Sequence, residues 1–417
     1  MTTRHPELTV RPLRAEEWET WYRSVEVAFG GTEEAPEARE LWRRLIDAER
    51  TLVACADGRP VGGTTSFDFR LVVPGGAVLP AAGVAAVGVL PTHRRRGALS
   101  ALMRRQLDDV RAAGEPLAVL TASEPAIYGR FGYGPATRKA VVSALRGRVR
   151  LRTPERDGEV VLRLADPVAE LPRCEELYAR LAPARPGTLL RRPGWEDWAV
   201  LDAPADRDGF SPLQCVLAED AGSGELLGYA RYAVKPEWTD RGAAGVVRVR
   251  VVQAERPWVA ARLWEFLLDL DLTERVEAHN LPVDDALLHL VSDVRHLVPR
   301  IVDGMYVRLV DLPVALEARG YPAAVDVVLE VTDAFCPWNA GRWRLTAVPG
   351  GPVSCVRTGK AAELALDVRE LGSAYLGGGS LAALAAAGLV RELRPGALEP
   401  ASAAFRSVLE PWLPHGF

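Results

Sequence analysis

The stretch V-A-A-V-G-V-L-P-T-H-R-R-R-G-A, residues 84–98, decides the fold of this chain. Its apolar first half predicts a buried strand, which Pro91 ends. Three arginines and Gly97 follow, and apolar residues then recur every three or four positions up to Gly114, which predicts an amphipathic helix. The first N–H groups of a helix are unpaired and its dipole favours an anion. The order of strand, basic turn and helix therefore predicts a diphosphate site in an α/β domain.

Two motifs in this region occur in the order of a known superfamily. R-R-R-G-A-L at 94–99 resembles the (Q/R)-x-x-G-x-(G/A) motif of the GCN5-related N-acetyltransferases, although Leu99 departs from the small final residue. After an apolar strand at 117–120, Y-G-R-F-G-Y at 128–133 resembles the Y-x-x-x-G-(F/Y) element that closes their acetyl-CoA site. Together the two motifs are much more specific than either alone.

Length and composition set broad limits. A chain of 417 residues predicts about two to four domains. A net charge of −4 with 25% charged residues gives no indication of a nucleic-acid or membrane partner. The five scattered cysteines predict neither a disulfide framework nor a zinc site, and no metal is expected. The first residues lack the apolar core of a signal peptide, and the apolar run at 381–390 is about half a membrane span. We therefore expect a soluble cytoplasmic protein without a membrane span.

The first part of the chain predicts one α/β unit, and residues 155–300 repeat its pattern coarsely. In the first unit we expect helices at 15–29 and 38–48, and strands at 51–56 and 62–73. In the second unit we expect strands at 225–234, 246–252 and 275–278, and helices at 257–270 and 282–291. At the position of the phosphate turn the second unit has Q-A-E-R-P-W, residues 253–258. A glutamate repels phosphates and no glycine permits close approach, so this unit resembles an acetyltransferase fold that has lost its cofactor site.

The pattern changes from residue 303 onward and predicts an α+β domain. A helix is expected at 309–319, followed by strands at 325–331, 342–347, 353–358 and 362–367. Alanine- and leucine-rich helices are expected at 373–390 and 400–409.

This three-part layout resembles the Eis (enhanced intracellular survival) acetyltransferases over the whole chain. The stretches that carry the resemblance are 81–97, 122–137, 311–321 and 372–378. It implies two fused acetyltransferase domains of α/β type, the second degenerate, and a sterol-carrier-like α+β domain at the C-terminus. The expected domains are 1–150, 151–302 and 303–417, with the C-terminus reaching the active site. The resemblance also implies a homo-oligomer, a hexamer.

The resemblance implies acetyl-CoA as the acetyl donor. The residues expected to bind it are Val87, Val89, Arg94, Arg95, Gly97 and Ala98. The strand backbone would pair with the pantetheine arm, while the arginines and the glycine would hold the diphosphate. Outside this context, the arginines would be interpreted as a solvated basic turn.

Acetyl transfer to an amine needs a proton donor for the departing thiolate and a base for the amine. Tyr128 matches the family's acid, although a core tyrosine is the structural alternative, and we expect Tyr133 to lie in the core. The group that matches the family's base is the α-carboxylate of Phe417. Because its pKa is near 3.5, it would act through a water and by favouring an ammonium. His415 has a better intrinsic pKa and is the rival, whereas His93 is expected to be structural.

The acceptor site is expected to bind a cationic amine. The residues that the resemblance implies for it are Trp42, Ala85, Ala86 and Asp303. Two acidic residues of aminoglycoside-modifying members are replaced by Gly31 and Gly416, although Glu33 and Glu34 are near the first. The pocket is therefore predicted to be larger and less acidic than in those members.

The sequence favours an acetyl-CoA-dependent N-acetyltransferase that acts on amines of aminoglycosides, polyamines or exposed lysine side chains. The first alternative is a lipid or hydrophobic-ligand binder that uses its sterol-carrier-like domain. The second is an acetyl-CoA sensor without turnover. The intact Arg94, Gly97 and Tyr128 argue against a mere scaffold.

Overall fold

The computed structural model describes residues 8–417. The prediction about a signal peptide falls on residues outside this range. The chain divides into two compact units. The first contains the residues up to Thr137 together with Met305–Val408 and Gly416–Phe417, and the second contains Arg138–Gly304 and Leu409–His415. The units thus divide the chain differently from the predicted domain boundaries.

Between Leu8 and Thr137, the first unit contains three α-helices and six strands. The strands are β1 (Leu8–Pro12), β2 (Thr51–Ala56), β3 (Arg59–Val72), β4 (Val78–Val89), β5 (Leu117–Thr121) and β6 (Gly134–Pro135). The helices are α1 (Trp18–Ala28), α2 (Pro36–Leu45) and α3 (Ala98–Ala112), with a 3₁₀ segment at Pro125–Phe131. The predicted apolar face of α3 is confirmed, since Leu102, Met103, Leu107 and Val110 are buried. β1 was not predicted from the sequence.

The second unit follows the predicted repeat. Its strands are β7 (Arg138–Leu145), β8 (Val160–Ala165), β9 (Leu189–Leu190), β10 (Gln214–Asp220), β11 (Leu226–Lys235), β12 (Trp238–Thr239), β13 (Gly242–Ala243), β14 (Gly245–Ala254), β15 (Thr273–Pro282) and β16 (Arg300–Asp303). Its helices are α4 (Leu171–Leu181), α5 (Pro257–Leu268) and α6 (Leu287–Leu290). The helix predicted at 282–291 is wrong for its first half, because Leu281 and Pro282 pair with β7 as part of β15.

The remaining elements lie in the first unit. The strands are β17 (Met305–Leu309), β18 (Val325–Thr332), β19 (Gly341–Ala347), β20 (Val353–Arg357), β21 (Leu364–Asp367) and β22 (Val390–Glu392). The helices are α7 (Leu312–Ala318), α8 (Val368–Tyr375), α9 (Leu381–Ala386) and α10 (Leu398–Ala404).

Three predicted helices of this part need correction. The one predicted at 400–409 is wrong for its second half, because α10 ends at Ala404. The one predicted at 309–319 begins later, because Asp311 caps α7 by accepting from the N–H of Val314 at 3.3 Å. The one predicted at 373–390 is interrupted by Gly377 and Gly388, which have φ angles of 92° and 76°, and it gives way to β22. Such φ angles are incompatible with a continuous right-handed helix.

Long-range pairing explains the divided units. The main sheet of the first unit has the order β1-β2-β3-β4-β5-β17-β6, so β17 lies between β5 and β6 although it is far from them in sequence. The sheet of the second unit has the order β16-β7-β15-β14-β11-β10-β8, and β7 draws residues 138–145 into that unit. A third sheet, β20-β19-β18-β21-β22, belongs to the first unit.

All five cysteines are free and buried. None of the helices between Leu8 and Phe417 has the length and apolar character needed to span a membrane.

Candidate active site

A cleft opens in the first unit where two parallel strands diverge. Residues 81–83 of β4 pair with residues 117–119 of β5, and there the pairing ends. β4 continues to Val89, whereas β5 stays paired with β17 on its other side up to Thr121. The resulting cleft has a volume of about 1020 Å³ and is lined by β4, the start of α3, the 3₁₀ segment and Phe417. The divergence therefore makes room for a ligand along the backbone of β4.

A bulge in β4 shapes the wall of this cleft. Thr65 pairs with Ala85 but Gly63 pairs with Gly88, so β4 contains one extra residue, and Ala86 has a φ of 51°. The buried side chain of Gln106 stabilises the opposite strand by donating to the hydroxyl of Thr64 at 3.0 Å and to the carbonyl of Thr65 at 3.1 Å. No sequence motif near residue 106 predicts these two hydrogen bonds.

The basic turn leaves its backbone accessible. Arg95 and Gly97 have φ angles of 61° and 88°, and residues 94–97 are exposed. Arg94 donates from Nε to the carbonyl of Val89 at 3.3 Å and from Nη2 to the carbonyl of Ala28 at 3.0 Å. A Cβ at Gly97 would meet nothing within 4 Å, so its positive φ alone demands glycine there. The turn therefore presents positive charge and helix N–H groups to an open face.

Tyr128 projects from the 3₁₀ segment and is 9% exposed. Burial, with a smaller effect from the Glu124 carboxylate, raises the pKa of Tyr128 to about 12, so its hydroxyl is protonated at neutral pH. Its ring lies edge-on to that of Tyr133, with centroids 6.1 Å apart. Tyr133 is 1% exposed, and the prediction that it is a core residue is confirmed.

A buried ion pair packs against the end of the segment that contains Tyr128. Arg308 of β17 is fully buried and donates from Nη2 to Oδ2 of Asp333 at 2.5 Å. Gly132 has a φ of 83°, and a Cβ there would lie 2.2 Å from Nη1 of Arg308. The motif glycine is thus required both by its backbone conformation and by the packing of the arginine.

The last residue of the chain belongs to the first unit and lines the cleft. The ring of Phe417 lies edge-on to Phe69 and Phe67, with centroids 4.9 and 6.5 Å away. Gly83 makes room for this aromatic cluster, because a Cβ there would lie 2.3 Å from Phe69 and 3.4 Å from Phe417. Trp42 stacks on Phe67 at 5.9 Å, one ring behind Phe417.

The acetyltransferase (GNAT) domain family matches residues 9–136, a second such family matches residues 187–309, and the sterol carrier protein domain family matches residues 312–414. An "uncharacterized N-acetyltransferase" of Streptomyces avermitilis is 55% identical over 408 residues, which cover 98% of this chain and 99% of that protein. The N-acetyltransferase Eis of Mycobacterium tuberculosis is 36% identical over 385 residues, which cover 89% and 90% of the two chains. The chain belongs to the Eis-like N-acetyltransferases.

The crystal structure of Eis1 from Mycobacterium abscessus agrees, with a TM-score of 0.83 and 34% identity over 99% of this chain and 100% of the other. The protein is thus an N-acetyltransferase with two acetyltransferase domains and a sterol-carrier-like domain, and the predicted family and fold class are confirmed.

Most of the site residues predicted for this Eis-like enzyme meet in the cleft. Those that line it are Ala85, Ala86, Val87, Val89, Arg94, Arg95, Gly97, Ala98, Tyr128 and Phe417, together with His93. Trp42 packs behind the cleft wall. Asp303 lies in the second unit, where it pairs in β16 with Arg138 of β7, and His415 lies there with its ring 6.1 Å from that of Trp195.

Sequence reasoning missed other lining residues. Ala28 ends α1, Phe29 and Gly30 follow it, and Ser123 and Glu124 follow β5. Among the described lining residues, Glu124 has the only acidic side chain. The position of Ser123 and Glu124 directly after a buried strand could have indicated them, since ligands bind beyond the carboxyl ends of strands in such sheets.

The two glutamates considered near Gly31 are engaged elsewhere. Glu33 accepts from Arg23 at 2.7 Å, and Glu34 accepts from the Tyr22 hydroxyl at 2.5 Å. Neither lines the cleft.

Proposed function

We propose that this Eis-like enzyme transfers the acetyl group of acetyl-CoA to a primary amine of a cationic acceptor in the cleft of the first unit. The supporting observation is that one cleft brings together the basic turn, the free edge of β4, a protonated buried tyrosine and the chain's last residue. These groups come from distant parts of the sequence, and a purely structural role would not bring them together.

The lining of the cleft fits acetyl-CoA, which supplies the thioester. Arg94, Arg95 and the first N–H groups of α3 would bind the diphosphate, and Gly97 and Ala98 would let it approach the backbone. The backbone of Val87 and Val89 would bind the pantetheine amides, because β4 has lost its pairing with β5 at that level. We propose acetyl-CoA as co-substrate on these grounds.

Tyr128 is proposed as the acidic group of the site, acting as a hydrogen-bond donor to the departing thiolate. As the nitrogen–carbon bond forms and the carbon–sulfur bond breaks, its hydroxyl donates a hydrogen bond to the sulfur. With a pKa of about 12 it stays protonated, whereas a thiol has a pKa of about 8.5. Stabilisation of the forming thiolate by this bond is therefore its main contribution, and solvent supplies the final proton.

The α-carboxylate of Phe417 is proposed as the group that receives the amine's proton through a water. Because its ordinary pKa is near 3.5, it is a weak base but a permanent negative charge that attracts the acceptor as an ammonium. Phe417 lines the cleft, which supports this role over the rival His415, a residue of the second unit.

The acceptor is proposed to be a multi-amine cation, such as an aminoglycoside or a polyamine, or a lysine side chain. Glu124 and the Phe417 carboxylate supply negative charge, and the small side chains of Ala85 and Ala86 leave the wall open. Trp42 and Asp303 stay predictions as acceptor residues. The hexamer also stays a prediction, which light scattering would test.

A thiol-release assay with acetyl-CoA would test this function on a protein with a free C-terminus. Kanamycin, spermine and a lysine-containing peptide would serve as acceptors. We expect turnover with at least one of them and its loss when residues are added after Phe417. Binding of acetyl-CoA by calorimetry without turnover on any acceptor would overturn the proposal and favour a sensor.

A further inference from the structure

The second unit contains its own pair of diverging parallel strands. β14 pairs with β15 from Gly245 to Val249, opposite Thr273 to Ala278. Beyond this point residues 251–254 of β14 and 280–282 of β15 line a separate cavity of about 260 Å³. The strand arrangement is that of the acetyl-CoA cleft, but the space is much smaller.

The C-terminal segment of the chain fills part of this space. Leu409 and Trp412 line the cavity together with the two strands. The backbone N–H of Trp412 donates to the carbonyl of Pro186 at 2.9 Å, and its indole Nε1 donates to Oδ1 of Asn280 at 3.2 Å. The aromatic side chain is therefore held at both its backbone and its ring.

Asn280 binds three residues of this segment with one side chain. Besides accepting from Trp412, its Nδ2 donates to the carbonyl of Leu413 at 3.1 Å and to that of Pro414 at 3.0 Å. Both amide hydrogens and the amide oxygen are thus used. Since Pro411 and Pro414 fix their φ angles, the segment is stiff where it is bound.

A second anchor lies at the start of the segment. The N–H of Glu410 donates to Oδ2 of Asp284 at 2.9 Å, and Arg185 donates from Nη1 to the carbonyl of Glu410 at 2.6 Å. The same Arg185 pairs with Oδ1 of Asp284 at 2.6 Å. The segment is therefore bound on both sides of Trp412.

We propose that the diverged strands of the second unit are a dock for the C-terminal segment, and that Asn280 is a positioning residue that holds Phe417 for acetyl transfer. The proposal rests on the proposed role of the Phe417 carboxylate. With Pro414 bound, three residues remain and Phe417 can reach about 10 Å. Without the side chain of Asn280 the segment is still held at Glu410 and at the backbone N–H of Trp412, so five residues are free and Phe417 can reach about 17 Å. The hydrogen bonds of Asn280 thus confine the carboxylate to roughly a fifth of that volume and raise its local concentration accordingly.

The test compares Asn280→Leu with His279→Ala, a matched control in the same strand whose side chain is exposed. With kanamycin or spermine as acceptor, we expect Asn280→Leu to lower kcat by about fivefold while KM for acetyl-CoA stays unchanged. His279→Ala should leave both unchanged. In hydrogen–deuterium exchange, the peptide covering residues 409–417 should exchange faster in Asn280→Leu only.

Replacing the α-carboxylate of Phe417 by a carboxamide separates this proposal from the proposed function, since deletion of Phe417 would leave a new α-carboxylate on Gly416. If Asn280 acts through the carboxylate, Asn280→Leu lowers kcat in the intact chain but has no effect in the amidated chain. An equal effect in both backgrounds, an unchanged kcat in the intact chain, or unchanged exchange of the C-terminal peptide would each overturn the positioning role. If amidation alone leaves kcat unchanged, the proposed carboxylate role fails instead.

A second variant covers the case in which leucine disturbs the sheet. Asn280→Ser keeps a small polar side chain but cannot reach all three partners, so it should give the same loss of kcat and faster exchange. Equal melting temperatures of Asn280→Ser and the wild type would show that the loss arises from the freed segment.

Discussion

The two units use one strand arrangement in opposite ways. In the first, the parallel strands separate after Gly83 and the cleft measures about 1020 Å³. In the second, they separate after Val249 and the cavity measures about 260 Å³, with Trp412 in its wall. The topology creates the opening in both cases. The side chains at the opening decide whether a ligand or the chain itself occupies it.

The turns that follow β4 and β14 also differ in whether they can bind a diphosphate. The first unit has exposed arginines and Gly97 before α3. The second has Glu255, which accepts from Nε of Arg180 at 2.8 Å, and Pro257, which lacks an N–H in the first turn of α5. A carboxylate and a missing donor both disfavour a diphosphate. The second unit therefore lacks an anion site of this kind.

The variant with the largest expected effect tests whether acetyl transfer takes place only in the cleft of the first unit. Tyr128→Phe removes the donor to the thiolate and should lower kcat about a thousandfold, while the Kd of acetyl-CoA stays unchanged. The control is Tyr133→Phe, because the hydroxyl of Tyr133 is buried and has no hydrogen-bond partner among residues 8–417. It should keep turnover and raise the free energy of unfolding by about 1 kcal/mol. Turnover of Tyr128→Phe close to that of the wild type would contradict the assigned role.

Gly97→Glu places a carboxylate in the turn of the first unit, as Glu255 does in the turn of the second unit. Because Gly97 has a φ of 88°, any side chain there strains the turn, and Gly97→Gln is the matched control. The carboxylate of Gly97→Glu would repel the diphosphate, and we expect the Kd of acetyl-CoA to rise about a hundredfold above that of Gly97→Gln, equivalent to about 2.7 kcal/mol. Calorimetry would measure it. The reverse change, Glu255→Gly, should leave the binding stoichiometry at that of the wild type. A second acetyl-CoA per chain in Glu255→Gly would show that this turn alone closes the second opening.

Arg94→Ala should have a smaller effect, about a tenfold rise in the Kd of acetyl-CoA, because one charged contact to the diphosphate is lost. Arg96→Ala is the control, since Arg96 is exposed but does not line the cleft. The same calorimetric titration serves both variants. Equal losses would mean that only the overall charge of the turn matters.

The smallest expected effect concerns pH. Burial disfavours the phenolate and raises the pKa of Tyr128 to about 12, and the protonated form is the donor. Between pH 8 and 10, ionisation of this group should therefore lower kcat by only about 1%, whereas an ordinary tyrosine with a pKa of about 10 would be half ionised at pH 10. A measured decline centred near pH 10 would place the donor elsewhere.

Local patterns predicted the parts of the molecule that depend on neighbours in sequence. The strand at 51–56 and the helix after Gly97 are confirmed, because hydrophobic periodicity and end signals determine them. The beginning of the predicted helix at 309–319 failed because Leu309 belongs to a strand whose partners, β5 and β6, are distant in sequence. The continuous helix predicted at 373–390 is wrong. The prediction relied on the alanine-rich composition, whereas two glycines with positive φ interrupt the helix.

The residues of the candidate site divide in the same way, into those that a local motif predicts and those that depend on distant residues. The turn at 94–98 and Tyr128 lie in recognisable motifs, and they line one cleft. Phe417 was expected only from the family resemblance, since a terminal aromatic residue has no pattern of its own. Asn280 escaped notice because its three partners are tail residues more than a hundred positions away, which no spacing within β15 indicates.

The position of β17 has a consequence for how the chain is made. The first acetyltransferase sheet cannot be completed during synthesis until residues 305–309 have left the ribosome, after all of β7 to β16. Until then β5 has an unpaired edge of apolar residues, which is a site for aggregation. A fragment ending at Thr137 should therefore be cleaved readily by proteases, and adding a peptide with the β17 sequence should protect it.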